Sequence, residues 1–278
     1  LKVENKNYFI AALGSFGSGE MSFASDIDLI FVVEKSDKSN NIENEFQAFL
    51  LKIKKEFLPF DVDCRLRPEG KSSQLVWEFD SYNEYLSKRA RTWEFQAFCK
   101  LNMVSGNRNL FNKFSRAIRR DIANLDKKIL KKNILEMRNK LYPPDLSGLT
   151  EIFNIKKSRG GITDIEFILQ YLMLSNHKYY FLLKGKRDEQ IIVKLSNVNK
   201  SIRTRKDNLI EGYYFLKKLE LANQNIFNVS NSQIILESGK LNKVLTFLEL
   251  GSHSVLKNHL SKITKLNHTL FEILLKEK

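Results

Sequence analysis

Cysteine is scarce: Cys64 and Cys99 are the two in 278 residues, 35 positions apart, with neither a Cys-x-x-Cys nor a Cys/His cluster. That excludes a disulfide framework and a zinc site and makes a reducing cytoplasm the expected compartment. Long apolar runs are absent too. None approaches the roughly 18–20 residues that span a bilayer, and Tyr8–Leu13 is too short and wrongly flanked for a signal peptide. The expectation is a soluble chain with no membrane among its partners. No internal repeat or low-complexity segment is present, which excludes solenoids, collagen and long linkers. Leu1 stands where a methionine would begin a chain, so the sequence reads as part of a longer polypeptide with a trimmed or missing N-terminus.

What is present suffices for a core: 42% of residues are hydrophobic, 28% charged and 11% aromatic. At about 100–200 residues per domain, the length allows one large domain or two modest ones. Acid is in deficit, with 46 Lys+Arg against 32 Asp+Glu and a net charge of +14. Residues 1–100 carry 14 basic and 16 acidic side chains, whereas residues 101–278 carry 32 and 16, so the whole excess lies in the second part. A half this basic suits nucleic acid, an anionic membrane or an acidic protein face. The competing reading is compositional, since 33 Lys against 13 Arg, with 25 Asn, is what an AT-rich genome produces.

Patterning changes along the chain. Tyr8–Leu13 is a short apolar run that ends at Gly14, and Asp26–Val33 has the β-branched and aromatic content of a buried strand. Asn40–Leu58 has helical spacing, and Phe60–Leu66 is a second strand candidate stopped by Pro68 and Glu69-Gly70. Helical periodicity follows over 81–102, 109–125, 127–142, 162–174, 207–226 and 252–276, with Pro143-Pro144 and Gly160-Gly161 as breaks. The expected architecture is α+β: a small domain over residues 1–100 with a mixed sheet and helices, then an all-α helical bundle over 101–278.

Three features of the first hundred residues bear on chemistry. Gly14-Ser15 closes the first strand, where a residue without Cβ lets backbone N–H groups approach a phosphate and the hydroxyl adds a donor. Asp26 and Asp28 stand at i and i+2, so on a strand both carboxylates face one side. Two like charges at the edge of a buried strand call for a cation, and Mg²⁺ favours carboxylate oxygens together with substrate phosphates. Asp63 alternates with apolar Val62 and Cys64 and shares a charged face with Asp61, Arg65 and Arg67. If the two strands are neighbours, Asp63 completes a three-carboxylate cluster. Arg65 and Arg67 beside it suit phosphate or the neutralisation of acidic neighbours.

An apolar residue, Gly-Ser, about ten residues, Asp-x-Asp and a third carboxylate on a following strand together resemble the nucleotidyltransferase superfamily related to DNA polymerase β. Longer strings narrow the likeness: 17–31 (GSGEMSFASDIDLIF), 62–70 (VDCRLRPEG), 92–97 (TWEFQA) and 160–172 (GGITDIEFILQYL). These look like the bacterial glutamine synthetase adenylyltransferase family, over roughly residues 10–175. That family carries two similar halves, one transferring AMP from ATP to a tyrosine of glutamine synthetase and one removing it by phosphorolysis. One such unit is present here. Residues 92–97 and 160–167 look more like the transferring half, while 20–28 suits the removing half equally.

The resemblance implies that Gly14 and Ser15 hold the β- and γ-phosphates of ATP and that Asp26 and Asp28 bind Mg²⁺. A second ion would be shared with Asp63, the candidate general base. Arg65 and Arg67 are expected to contact the nucleotide. Glutamine synthetase is the implied protein substrate, with a second catalytic half and a nitrogen-signalling regulator as further partners. Two other readings compete: a nucleotidyltransferase acting on nucleic acid or a small molecule, prompted by the basic half, and a non-catalytic interaction module, prompted by the missing second unit. Nucleic acid ranks below glutamine synthetase because the carboxylates sit in the slightly acidic part. Asp164 and Glu166 read as first-turn acids favoured by the helix dipole. Trp93, Phe95 and Phe98 read as inter-domain core, Tyr179–Phe181 as packing, and His177, His253, His259 and His268 as surface residues.

Overall fold

The computed structural model describes residues 7–35, 42–143, 152–236 and 238–276. Their contacts divide the chain into two compact units, Leu1–Leu130 with Met173–Arg187, and Lys131–Leu172 with Asp188–Lys278.

The first unit is built on a five-stranded mixed sheet. Its strands are β1 (Tyr8–Ala12), β2 (Ile27–Val33), β3 (Val62–Asp63), β4 (Val76–Glu78) and β5 (Asn102–Gly106). The order is β3-β2-β1-β5, and β4 pairs with β2 further along the edge that β3 occupies. β1 runs antiparallel to β2 and β5, while β3 and β4 run parallel to β2. β2 reads as a near-continuous apolar run because both its faces are covered. Leu29, Phe31 and Val33 meet α2 (Ile42–Glu56), with the Phe31 ring tilted against Phe46 at a centroid distance of 5.1 Å. Acids Glu43 and Glu45 in the first turn of α2 and Lys54 and Lys55 in its last complement the helix dipole. Residues 40 and 41 of the expected helix, and residue 144 of the expected break, lie outside the described residues.

The opposite face of the sheet is closed by α3 (Phe79–Lys88), α4 (Thr92–Phe98) and α5 (Arg108–Ala123). Phe114 of α5 lies 5.3 Å from Phe9, 5.0 Å from Tyr82 and 5.9 Å from Phe98. Phe95 and Phe98 therefore belong to the core of the first unit, and Trp93 is half-buried. The single helix expected over 81–102 is two. Glu94 accepts the Arg91 backbone N–H at 2.7 Å, forming the capping box of α4, so the chain restarts a helix after Lys88. The strand expected over Phe60–Leu66 shrinks to Val62–Asp63 because the Asp63 carboxylate accepts the Arg65 backbone N–H at 2.7 Å, an Asx turn that bends the chain out of the sheet. α8 (His177–Leu183) completes this unit, with Tyr180 fully buried and Arg119 over the Phe181 ring.

The second unit is mostly helical: it holds most of α6 (Lys127–Leu141) and of α7 (Ile162–Leu174), then α9 (Asp188–Ser196), α10 (Lys200–Arg203), α11 (Lys206–Phe227), α12 (Asn242–Leu248) and α13 (His253–Leu275). It also holds a two-stranded antiparallel sheet, β6 (Ile152–Asn154) with β7 (Gln233–Ile235). Helical spacing gives no sign of these short strands.

Candidate active site

β1 runs through Leu13 into α1 (Gly14–Ser18), a single turn wedged against the start of β2. Gly14 has φ +55, and a Cβ there would overlap the Asp28 carboxylate. Gly17 is as constrained, since a Cβ on it would run into the carbonyls of Ala12 and Lys100. Both glycines of this turn are thus required by close approach. Leu13 N–H donates to the Asp28 carbonyl at 3.0 Å and fixes the turn against β2. Ser15 follows Gly14 in the same turn and is half-buried.

Asp26 is exposed just before β2, Ile27 and Leu29 are buried, and Asp28 is half-buried between them. The parallel register pairs Ile27 with Val62 and Asp28 with Asp63. Ile27 N–H donates to the Asp61 carbonyl at 2.7 Å, which continues that pairing back to residue 61. Two carboxylates thus stand side by side on adjacent strands, and Asp26 is near enough to repel Asp28. Burial first, then the charges of Asp63 and Asp26, push the Asp28 pKa from 3.8 to about 6, with Arg65 and Lys100 offsetting part of the rise. Burial also raises the Asp63 pKa, but its hydrogen bonds from the Arg65 guanidinium and backbone outweigh it, and the net direction is down. Arg65 Nε lies 2.5 Å from Asp63 Oδ2.

Arg67, expected on the same charged face, points elsewhere. Its Nε donates to the Gln74 carbonyl at 2.8 Å, one Nη to the Ser73 carbonyl at 3.0 Å and the other to the Cys64 carbonyl. It ties down the loop 64–74. Glu43 of α2 clamps the end of that loop by accepting the Leu75 and Val76 N–H groups at 2.7 and 3.1 Å. No sequence pattern marks Glu43 for this. A cavity of about 500 Å³ lies beside the carboxylates, bordered by Asp26, Asp63 and Arg65 together with Lys54 and Lys71.

Among the described residues, no group of three His, Cys, Asp or Glu side chains is closed into a metal site. Asp28 and Asp63 are adjacent, Asp26 is near, and Arg65 holds Asp63. The donor chemistry nonetheless fits a hard divalent cation: all three are carboxylates, and burial and the neighbouring carboxylates hold the Asp28 pKa up despite the charges of Arg65 and Lys100.

The acids of 160–167 have a different setting. Asp164 is fully buried and accepts from Arg138 Nε at 2.5 Å and from the Gly160 N–H at 2.6 Å. Its part in capping α7 is therefore joined to a buried ion pair with a residue 26 positions earlier. Arg138 also donates to the carbonyls of Lys157 and Ser158 and lies 3.8 Å over the Tyr142 ring. His268 reaches the same carboxylate at 3.1 Å and is 21% exposed, so it is a network residue of the second unit; His177, His253 and His259 are half-buried.

Residues 2–117 match the family model described as glutamate-ammonia ligase adenylyltransferase, and residues 129–275 match the one described as GlnD PII-uridylyltransferase. The bifunctional glutamine synthetase adenylyltransferase/adenylyl-removing enzyme of Shewanella oneidensis is 37% identical over 192 residues, covering 62% of this chain and 20% of the relative. The enzyme of the same name from Mannheimia haemolytica is 33% identical over 192 residues (63% and 20%), and that from Shewanella woodyi 31% over 232 residues (76% and 24%). The chain spans about a fifth to a quarter of the length of these relatives. With its mixed sheet, Gly-Ser turn and paired strand carboxylates, the segment over residues 2–117 is a domain of the glutamate-ammonia ligase adenylyltransferase family.

Proposed function

We propose that the chain is a nucleotidyltransferase unit that moves AMP from ATP to a tyrosine hydroxyl of glutamine synthetase in the cytoplasm. The observation that carries this reading is the parallel pairing of Asp28 with Asp63, with Gly14 pressed against Asp28 where any Cβ would collide. Gly14 and Ser15 hold the outer phosphates of ATP against the α1 turn. Asp26 and Asp28 would hold Mg²⁺, with Asp63 able to share a second ion. Bound there, Mg²⁺ would neutralise phosphate charge and acidify the attacking hydroxyl. Asp63 receives the phenolic proton once Arg65 leaves it for the phosphates, and Arg67 keeps the loop behind it in place. The phenolic oxygen bonds to the α-phosphorus, the bond from that phosphorus to the bridging oxygen breaks, and pyrophosphate departs. In the longer relatives a second half and a regulator would act beside this unit.

The test is transfer of label from α-labelled ATP to glutamine synthetase. It should require Mg²⁺ and vanish in Asp26→Ala/Asp28→Ala, and an active double variant refutes the reading. A parallel incubation of AMP-modified glutamine synthetase with inorganic phosphate reads the direction: ADP release without transfer would assign the chain to removal.

A further inference from the structure

The cavity beside the carboxylates borders Asp26 and Asp63 but not Gly14, Ser15 or Asp28. It therefore opens beside Asp63 and away from the α1 turn. Its lining has three chemistries, one of them the carboxylates of Asp26, Asp61 and Asp63. Leu50 of α2 and Phe60 are apolar and half-buried, whereas Lys54, Lys71 and Arg65 are exposed cations around them. Lys54 is near enough to Asp63 and Cys64 for its charge to act on both. These cations stand out from their surroundings, because residues 1–100 carry 14 basic against 16 acidic side chains. The Lys-rich composition of the second part does not account for them.

The wall that carries Lys71 and Arg65 is also fixed in advance. Arg67 gathers the carbonyls of Cys64, Ser73 and Gln74, and Glu43 anchors Leu75 and Val76, so loop 64–75 is held at both ends. A preorganised wall reduces the ordering cost of binding.

We propose that this cavity is the acceptor subsite and takes a tyrosine within a polypeptide segment rich in Asp and Glu. The ring lies on Leu50 and Phe60, the hydroxyl points to Asp63, and flanking carboxylates meet Lys54 and Lys71. This rests on the adenylyl-transfer reading, which places the nucleotide phosphates at α1 and leaves the Asp63 side for the attacking group. An anionic nucleotide tail in this cavity is the alternative that the experiment must reject.

The probes are two fluorescent peptides with a single tyrosine, one flanked by Asp and Glu and the other by Asn and Gln, titrated into the 278-residue chain. At low salt the acidic peptide should bind about tenfold more tightly, as two exposed ion pairs allow, and the gap should close as salt rises. Lys54→Glu/Lys71→Glu should abolish the preference and favour a Lys-flanked peptide, with Mg-ATP affinity by calorimetry changed less than about twofold. Both positions are exposed, so the variant's melting temperature should match that of the parent chain. Equal binding of the two peptides, or an unchanged preference in the double variant, overturns the proposal. So does an unaltered acidic preference with Mg-ATP binding weakened about tenfold, which would assign the cavity to polyphosphate. Peptide preference is read by binding alone, so it is decided separately from AMP transfer, whose persistence in Asp26→Ala/Asp28→Ala would strike the underlying reading instead.

Discussion

Asp28→Asn should stabilise the protein while removing a ligand that the proposed reaction needs. The Asp28 carboxyl titrates near 6 in the folded chain against an ordinary 3.8, so the folded state binds its proton more tightly than the unfolded state does. Well below pH 3.8 the group is protonated in both states and costs nothing, and the cost grows as pH rises above that value. As pH rises through 6 the charged form must be accommodated beside Asp63 and Asp26, and the cost becomes complete above it. The difference between the two pKa values, at about 1.4 kcal/mol per pH unit, is about 3 kcal/mol, and partial solvent screening brings it to about 2–3 kcal/mol. Asparagine keeps the shape and cannot ionise. The advantage of Asp28→Asn should therefore be near zero at about pH 3 and reach about 2–3 kcal/mol by pH 7.5, read by denaturant or thermal melts of both proteins across that range. Mg²⁺ adds a second arm: at ten times its dissociation constant it should stabilise the parent chain by about 1.4 kcal/mol, and the variant by much less. A variant that is less stable at pH 7.5, or an advantage that does not change with pH, would refute the claim that like charge and burial strain this carboxylate.

Gly14→Ala should lose Mg-ATP binding and about 1–3 kcal/mol of stability, because φ +55 is strained for alanine and the methyl group displaces the Asp28 carboxylate; calorimetry and melting curves report the two effects. Arg138→Met should cost about 3–5 kcal/mol in the second unit by leaving Asp164 charged and buried, visible as an early denaturant transition. Both thiols are buried, and burial pushes the Cys64 pKa to about 12, so neither should react with a thiol reagent at pH 8 until the chain is unfolded.

Much of this was legible from local pattern. The apolar runs that become β1 and β2, the helical spacing of α2, α5, α7, α11 and α13, and the Gly-Ser and Asp-x-Asp spacing each depend on neighbours a few residues away. Periodicity records such neighbours directly. The break between α3 and α4 was not visible because Glu94 caps from within a continuous apolar stripe, and β3 ended early because one side chain, Asp63, turned back on its own backbone.

The sequence by itself determined that one strand start would carry Asp26 and Asp28 near a Gly-Ser turn, and that Asp63 would be available on a second strand. Only the tertiary structure decided that Asp28 pairs with Asp63, that Arg65 goes to Asp63 while Arg67 goes to backbone carbonyls, and that Asp164 meets Arg138. Strand register and ion-pair partners are settled by packing between segments distant along the chain, through burial and charge that no short window contains. For the same reason β5, which begins at Asn102, completes a sheet begun at Tyr8.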